Sequence, residues 1–222
     1  MEHPNPMGSL FSLRRGGPEG FERLDDADRL GLLRYIRDLT LKTGYGAFTP
    51  ENMQMYLPYL RSITNLHTLT LSPFFIHSFI PVFNECFGMF TNTLRHLDIR
   101  NAYGTDEQLL YVISRFPLLE DLTVVSPTVA VVHPRDRSPA ITQSPPFRGT
   151  LVLVRVDSRE LLEGLRALHG GLQFRSLDLF RCENSQIVLD ACSHTVTSIS
   201  YMWWVQNNNR KSIPRVHMFI TM

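Results

Sequence analysis

Three cysteines in 222 residues, Cys86, Cys182 and Cys192, are odd in number and irregular in spacing. They cannot form a disulfide framework and point instead to a reducing, intracellular setting, cytoplasmic or nuclear. No Asn-x-Ser/Thr sequon occurs, in keeping with that setting. Charge of one sign is also lacking, since 22 Lys and Arg face 21 Asp and Glu for a net +1. General attraction to nucleic acid or to an anionic membrane is therefore not expected. The first 20 residues contain no apolar core of a signal peptide. The greasiest stretch, residues 71–90, is interrupted by Pro73, His77, Pro81, Asn84 and Glu85. Each is costly in hydrocarbon, so the stretch reads as a buried helix and not as a span.

The groupings that chemistry needs are equally scarce. Cys192-Ser-His194 sets a thiol near an imidazole in sequence, but a thiolate nucleophile needs a lowered pKa and an open cleft. Cys192 ends a Leu-rich segment expected to pack inward. Cys182, Cys192 and His194 match no metal-ligand spacing, and Gly16-Gly-Pro-Glu-Gly20 has neither the Lys nor the following helix of a phosphate loop. No cofactor is expected. His67 and His96 fall at neighbouring exposed positions of adjacent predicted strands, but a third metal ligand is not evident.

What the chain does have is one spacing, repeated. An apolar residue, two mostly polar ones, an apolar residue, a small residue and an apolar residue recur as Ile36–Leu41, Leu66–Leu71, Leu94–Ile99, Leu119–Val124, Phe174–Leu179 and Val196–Tyr201. Arg148–Leu153 is a degenerate copy. The copies start at residues 36, 66, 94, 119, 148, 174 and 196. This is the strand signature and the period of a leucine-rich repeat. One repeat cannot fold alone: ordering its backbone costs about 1–2 kcal/mol per residue, while each large apolar side chain returns only about 1.5–3 kcal/mol. Stacking shares the leucines between neighbours and pairs the strands in parallel. The fifth position, not used to find the copies, holds Thr40, Thr70, Asp98, Thr123, Val152, Asp178 and Ser200, all small or β-branched.

Helices are expected between strands. Thr49-Pro50 starts one, Thr105-Asp-Glu-Gln108 is a capping box, Asp157-Ser-Arg-Glu160 opens a third that Gly170-Gly171 ends, and Ser185 caps a short one through Cys192. Residues 78–89 read as helical despite Pro81, and residues 25–35 as an amphipathic helix. The fold class is thus α/β: a leucine-rich-repeat solenoid with parallel strands on the concave face and helices on the convex face. The organisation is a disordered lead-in over 1–20, the repeat array over 21–201 with an irregular Pro-rich insertion over 126–147, and an atypical tail over 202–222. A short extra strand or tether is expected at Val129–Val132.

The stretches Leu57–Leu71, Phe116–Val124 and Pro146–Tyr201 resemble the F-box-like, leucine-rich-repeat proteins of mushroom-forming fungi. In that family an F-box docks on the adaptor of a cullin ubiquitin ligase and the repeats hold substrate. No Leu-Pro-x-Glu segment followed by three short helices precedes the first copy, so the resemblance implies the substrate-holding repeats and not the adaptor dock.

The function expected is a non-catalytic, monomeric module that binds another protein on its exposed strand positions, with no nucleic acid, membrane or metal. The candidate binding residues are Arg37, His67, Arg95, His96, Asp98, Glu120, Asp121, Arg175 and Asp178, with Arg37, Arg95 and Arg175 as anchors for an acidic or peptide partner. Two other readings stay open: a truncated or non-functional repeat fragment, and a cysteine-dependent hydrolase using Cys192 and His194.

Overall fold

Alternation with period two forces one half of each strand's side chains to one face of a sheet. The computed structural model describes residues 10–13, 25–42, 50–129, 147–168 and 171–202. Within them every copy of the repeated spacing forms a strand: β2 (Asp38–Lys42), β3 (Thr68–Ser72), β5 (His96–Arg100), β7 (Asp121–Val125), β9 (Thr150–Val154), β10 (Ser176–Phe180) and β11 (Ser198–Met202). With β1 (Leu10–Leu13) they make one parallel eight-stranded sheet in the order β1-β2-β3-β5-β7-β9-β10-β11. Leu39, Leu69, Leu97, Leu122, Leu151, Leu177 and Ile199 lie directly beside one another in successive strands. The six leucines of this row are each at most 1% exposed.

Parallel neighbours need a crossover of a dozen or more residues, and most crossovers carry a helix. After α1 (residues 25–29) come α2 (Pro50–Ser62), α3 (Ile76–Phe87), α4 (Asp106–Ser114), α5 (Arg159–Ala167) and α6 (Gln186–Cys192). From α2 onward each packs on the next in chain order. Phe83, at the centre, meets Phe87, Phe116 and Tyr111 with ring centroids 5.1, 5.9 and 6.5 Å away. Buried strand and helix residues form one hydrophobic cluster. The result is an α/β arrangement of a parallel sheet and helices.

The caps follow from local chemistry. Thr105 Oγ1 accepts the Gln108 N–H at 3.0 Å, and Gln108 Oε1 accepts the Thr105 N–H at 3.1 Å, completing the expected box. At α5 the cap is Ser158, which accepts the Leu161 N–H at 3.1 Å. Asp157 instead accepts the Glu183 N–H of the next crossover at 3.2 Å. Ser185 stands before α6 with helical backbone and makes no side-chain cap bond, so the expected cap is not formed there.

Several expectations need correction. The lead-in over 1–20 is not structureless throughout: β1 pairs with β2, Phe11 beside Leu39 and Leu13 beside Leu41. Its alternation continues the same rows. The helix expected over 25–35 breaks at Gly31, whose φ of +65° is outside the helical region, and a 3-10 turn follows at Leu33–Tyr35. Met202, assigned to the tail by the sequence, belongs to β11. Within the span of the insertion, β8 (Thr128–Val129) joins β4 (Phe74–Phe75) and β6 (Ala102–Gly104) in a second, three-stranded parallel sheet. Phe147, at its far end, bridges to Leu172 and stacks on Phe174 with centroids 5.1 Å apart. The rest of the insertion, residues 130–146, and the tail from residue 203 lie outside the described residues.

Candidate functional site

The strand positions that alternate with the buried rows share one open face. Just before each strand, a main-chain ladder fixes where these side chains start. The Arg37 carbonyl accepts both the His67 and Thr68 N–H groups, at 2.8 and 2.9 Å. The His67 carbonyl accepts those of Arg95 and His96, both at 2.9 Å, and the Arg95 carbonyl those of Glu120 and Asp121, at 2.8 and 3.0 Å. Gly149 and Arg175 repeat the pattern with Arg175/Ser176 and Thr197/Ser198. The second residue of each copy is thereby held at the same point of successive strands.

One rung differs. The Glu120 carbonyl accepts only the Gly149 N–H, at 3.0 Å, and the Thr150 N–H goes to Asp121 Oδ1 at 2.5 Å. Asp121 also holds His96 Nδ1 at 2.6 Å. Gly149 permits this: a Cβ there would lie 2.3 Å from Asp121 Oδ1 and 2.6 Å from the Glu120 carbonyl oxygen.

A second ladder marks the strand exits. Asn101, Ser126, Arg155 and Arg181 each follow a strand directly, with φ between 46° and 54°. Their N–H groups donate to the last residue of the next strand: Val125, Val154, Phe180 and Met202, at 2.7–3.0 Å. Four non-glycine residues in the left-handed region at equivalent places impose the same turn on each exit.

All nine candidate residues lie on strands of the sheet or directly before them, and the structure divides them into groups. Arg37, Glu120, Arg175 and Asp178 are exposed; His67, Arg95, His96, Asp98 and Asp121 are half-buried. Arg95 is engaged, its Nη1 donating to the Leu118 carbonyl at 3.2 Å and standing 3.7 Å from Glu120. His96 is engaged with Asp121. Asp98 is gripped by Arg100, through Nε at 2.9 Å and Nη2 at 2.7 Å. That bidentate contact holds the Arg100 guanidinium above its ordinary pKa. Thus Arg37, His67, Arg175 and Asp178 keep side chains with no partner among the described residues.

The seventh position was missed in the sequence. The alternation runs one step past each six-residue copy, placing Lys42 beside Ser72, and Arg100, Val125, Val154, Phe180 and Met202 beside one another in turn. From β7 onward this row is apolar, and its four side chains are half-buried. The signal that could have found it is the continued period of two.

Among the described residues no nucleophile–base pair forms around the cysteines. All three are buried as free thiols. Burial pushes the Cys86 thiol up to about 11, and raises those of Cys182 and Cys192 as well. Cys192 is 0% exposed while His194 is exposed, so the sequence neighbours do not form a thiolate–imidazole pair at the surface. His194 lines a cleft of about 370 Å³ between the end of α5 and the turn after α6, with Arg166, Leu172, Gln173, Asp190 and Thr195. Two of its polar groups are spoken for: Asp190 accepts from Gln186 Nε2 at 2.6 Å, and the Thr195 hydroxyl donates to the Phe174 carbonyl at 3.1 Å. Among the described residues no three His, Cys, Asp or Glu side chains gather as a metal site, His67 and His96 included. No helix among them is long and apolar enough to cross a membrane. No family model, curated protein or solved structure matches the chain.

Proposed function

We propose that the chain is a leucine-rich-repeat solenoid that binds another protein on its open, concave strand face and carries out no catalysis. One observation carries the reading: seven copies of one spacing stand in parallel register, so that their third, fifth and seventh positions form columns on a single face, with the second position of each copy held just before the strand by the main-chain ladder. A partner meeting such a face binds side chains whose backbones are already fixed, which lowers the ordering cost of association. Solenoids with this build use their strand face for recognition. The resemblance adds a role, substrate recognition within an F-box-type ubiquitin ligase. Free buried thiols agree with an intracellular, reducing location.

Arg37 and Arg175 are the main anchors, since each exposes a guanidinium with no described partner. Arg95 contributes only if a partner carboxylate displaces Glu120. The test is affinity capture from cell extract with the full chain and with the Arg37→Glu/Arg95→Glu/Arg175→Glu variant. Loss of the specifically captured proteins at unchanged melting temperature supports the reading. Identical capture by both chains contradicts it.

A further inference from the structure

The cleft that His194 lines stands apart from the strand face. Arg166, Leu172, Gln173, Asp190 and Ala191 line it too, and it holds about 370 Å³. None of these residues belongs to a strand: they come from the end of α5, the segment before β10, the end of α6 and the turn after it. Small-molecule sites enclose about 300–1,000 Å³, so this one is sized for a small ligand. Leu172 and Ala191 supply apolar lining, and Gln173 and His194 carry polar side chains with no partner among the described residues.

Both signs of charge line the cleft, and they do not neutralise each other. Arg166, in the last turn of α5, is exposed, and its guanidinium has no partner among the described residues. Asp190, in the last turn of α6, is held from one helical turn away by Gln186, whose Nε2 donates to Oδ1 at 2.6 Å. Its Oδ2 has no partner among the described residues, and no Lys, Arg or His nitrogen there pairs with it. Local structure accounts for one of the two charges only. A cation near a helix C-terminus is favoured by the helix dipole, which suits Arg166. A carboxylate at the same end is disfavoured, so Asp190 is fixed by Gln186 at a place where only an added cation would offset the dipole.

We propose that this cleft binds a free α-amino acid as its zwitterion, the carboxylate taken by Arg166 and the ammonium by Asp190. A guanidinium and a carboxylate on the two helices that border one cleft, unpaired with each other, complement a ligand that carries both charges at once. A simple anion would leave Asp190 facing it, and a simple cation would meet Arg166. The guanidinium fork matches a carboxylate through two parallel hydrogen bonds, and Asp190 Oδ2 accepts from the ammonium. With both charged groups matched by the ligand's backbone groups, its side chain is neutral and rests on Leu172 and Ala191. This site is separate from the strand face and does not depend on what that face binds.

The test titrates the full chain at neutral pH with three probes: leucine, leucinamide, which lacks the carboxylate, and N-acetyl-leucine, which lacks the ammonium. Leucine binds, and the other two bind about tenfold more weakly or not at all, as expected when one charge partner is lost. Arg166→Gln abolishes the preference for leucine over leucinamide and keeps the preference over N-acetyl-leucine. Asp190→Asn keeps an oxygen for Gln186 and does the reverse. Both native side chains are exposed, so neither change disturbs the core. The ring-proton signals of His194, identified by their absence in His194→Asn, shift as leucine is added, which places the ligand in this cleft.

Failure of leucine to bind at millimolar concentration overturns the proposal. Equal binding of leucine and N-acetyl-leucine overturns it in favour of an anion site, and equal binding of leucine and leucinamide in favour of a cation site. Native-strength binding of leucine by both Arg166→Gln and Asp190→Asn, or His194 signals that stay in place, puts the ligand elsewhere on the chain and overturns it as well.

Discussion

Asp121 and Thr150 are joined by a side-chain-to-backbone bond of 2.5 Å at the one rung where the main-chain ladder is interrupted. The interruption falls between β7 and β9, the neighbours separated in sequence by the insertion. Asp121 there substitutes a carboxylate for the carbonyl that serves every other described rung. Through His96, at 2.6 Å, the same carboxylate reaches back to β5. Because both partners of that ion pair are more than a third exposed, its own contribution to stability is small.

Gly149 is the residue that makes this bond possible, so Gly149→Ala should destabilise the fold by about 1–3 kcal/mol through overpacking. The new methyl meets Asp121 Oδ1 and the Glu120 carbonyl oxygen, and the second is backbone and cannot swing aside. Asp121→Ala should cost about 1–3 kcal/mol by leaving the Thr150 N–H without its partner. The double variant should lose less than the two separate losses combined, because removing Asp121 relieves the nearer contact. Urea unfolding of the four chains checks this; strict additivity would mean that the two residues do not interact.

Native thiols should react slowly. Cys86, Cys182 and Cys192 are at most 2% exposed, and burial raises all three pKa values. Iodoacetamide should modify none of them at neutral pH in the folded chain and all of them in urea, as mass spectrometry would read directly. Rapid labelling of Cys192 in the folded protein would restore the thiol chemistry that burial removes. The same shifts set a pH trend. Between the ordinary thiol value near 9 and the folded Cys86 value of about 11, the unfolded chain loses its proton first. Stability therefore falls as pH rises through that window.

Asp106 supplies a trend at acid pH. One of its oxygens accepts the Ser158 hydroxyl at 2.6 Å; the other is buried with no hydrogen-bond partner. Burial is the main cause of a pKa above the ordinary carboxylate value. The folded state thus holds this proton more tightly than the unfolded state, and stability is lost as pH rises through the interval between the two. Asp106→Asn should remove that loss. The difference in urea midpoint between Asp106→Asn and the native chain should move in favour of the variant as pH rises from below the ordinary carboxylate range towards neutrality. A constant difference across that range would contradict the assignment.

The rows of the sheet were legible because each copy repeats Leu or an equivalent at three positions, and each copy takes the next place in the parallel sheet. Even Arg148–Leu153, with Arg where the others have an apolar residue, enters the sheet as β9 through Leu151 and Leu153. The same logic hid β1, where Gly8 stands at the first position and only Phe11 and Leu13 continue the rows. Thr105 and Gln108 were readable since a capping box is local, while the break at Gly31 depends on a backbone conformation that hydrophobic period does not reveal. The second sheet was out of reach: β4 and β8 are two residues each, too short for any alternation. At the candidate site the outward positions were legible and their pairing was not. Which arginine lacks a partner among the described residues depends on neighbours in other strands, so Arg37 and Arg175 could not be told from Arg95 before Glu120 and the Leu118 carbonyl were in place.

The most direct measurement is a distance across the open face. Spin labels attached to cysteines introduced at Thr40 and Asp178 would sit in one column five strands apart, since β2, β3, β5, β7, β9 and β10 are consecutive neighbours. Parallel, in-register stacking places their backbones about 24 Å apart, so pulsed electron resonance should give one narrow peak close to that value, widened only by the label arms. A broad distribution, or a peak beyond about 35 Å, would mean that the strands do not share a continuous face and that no partner could meet these columns together.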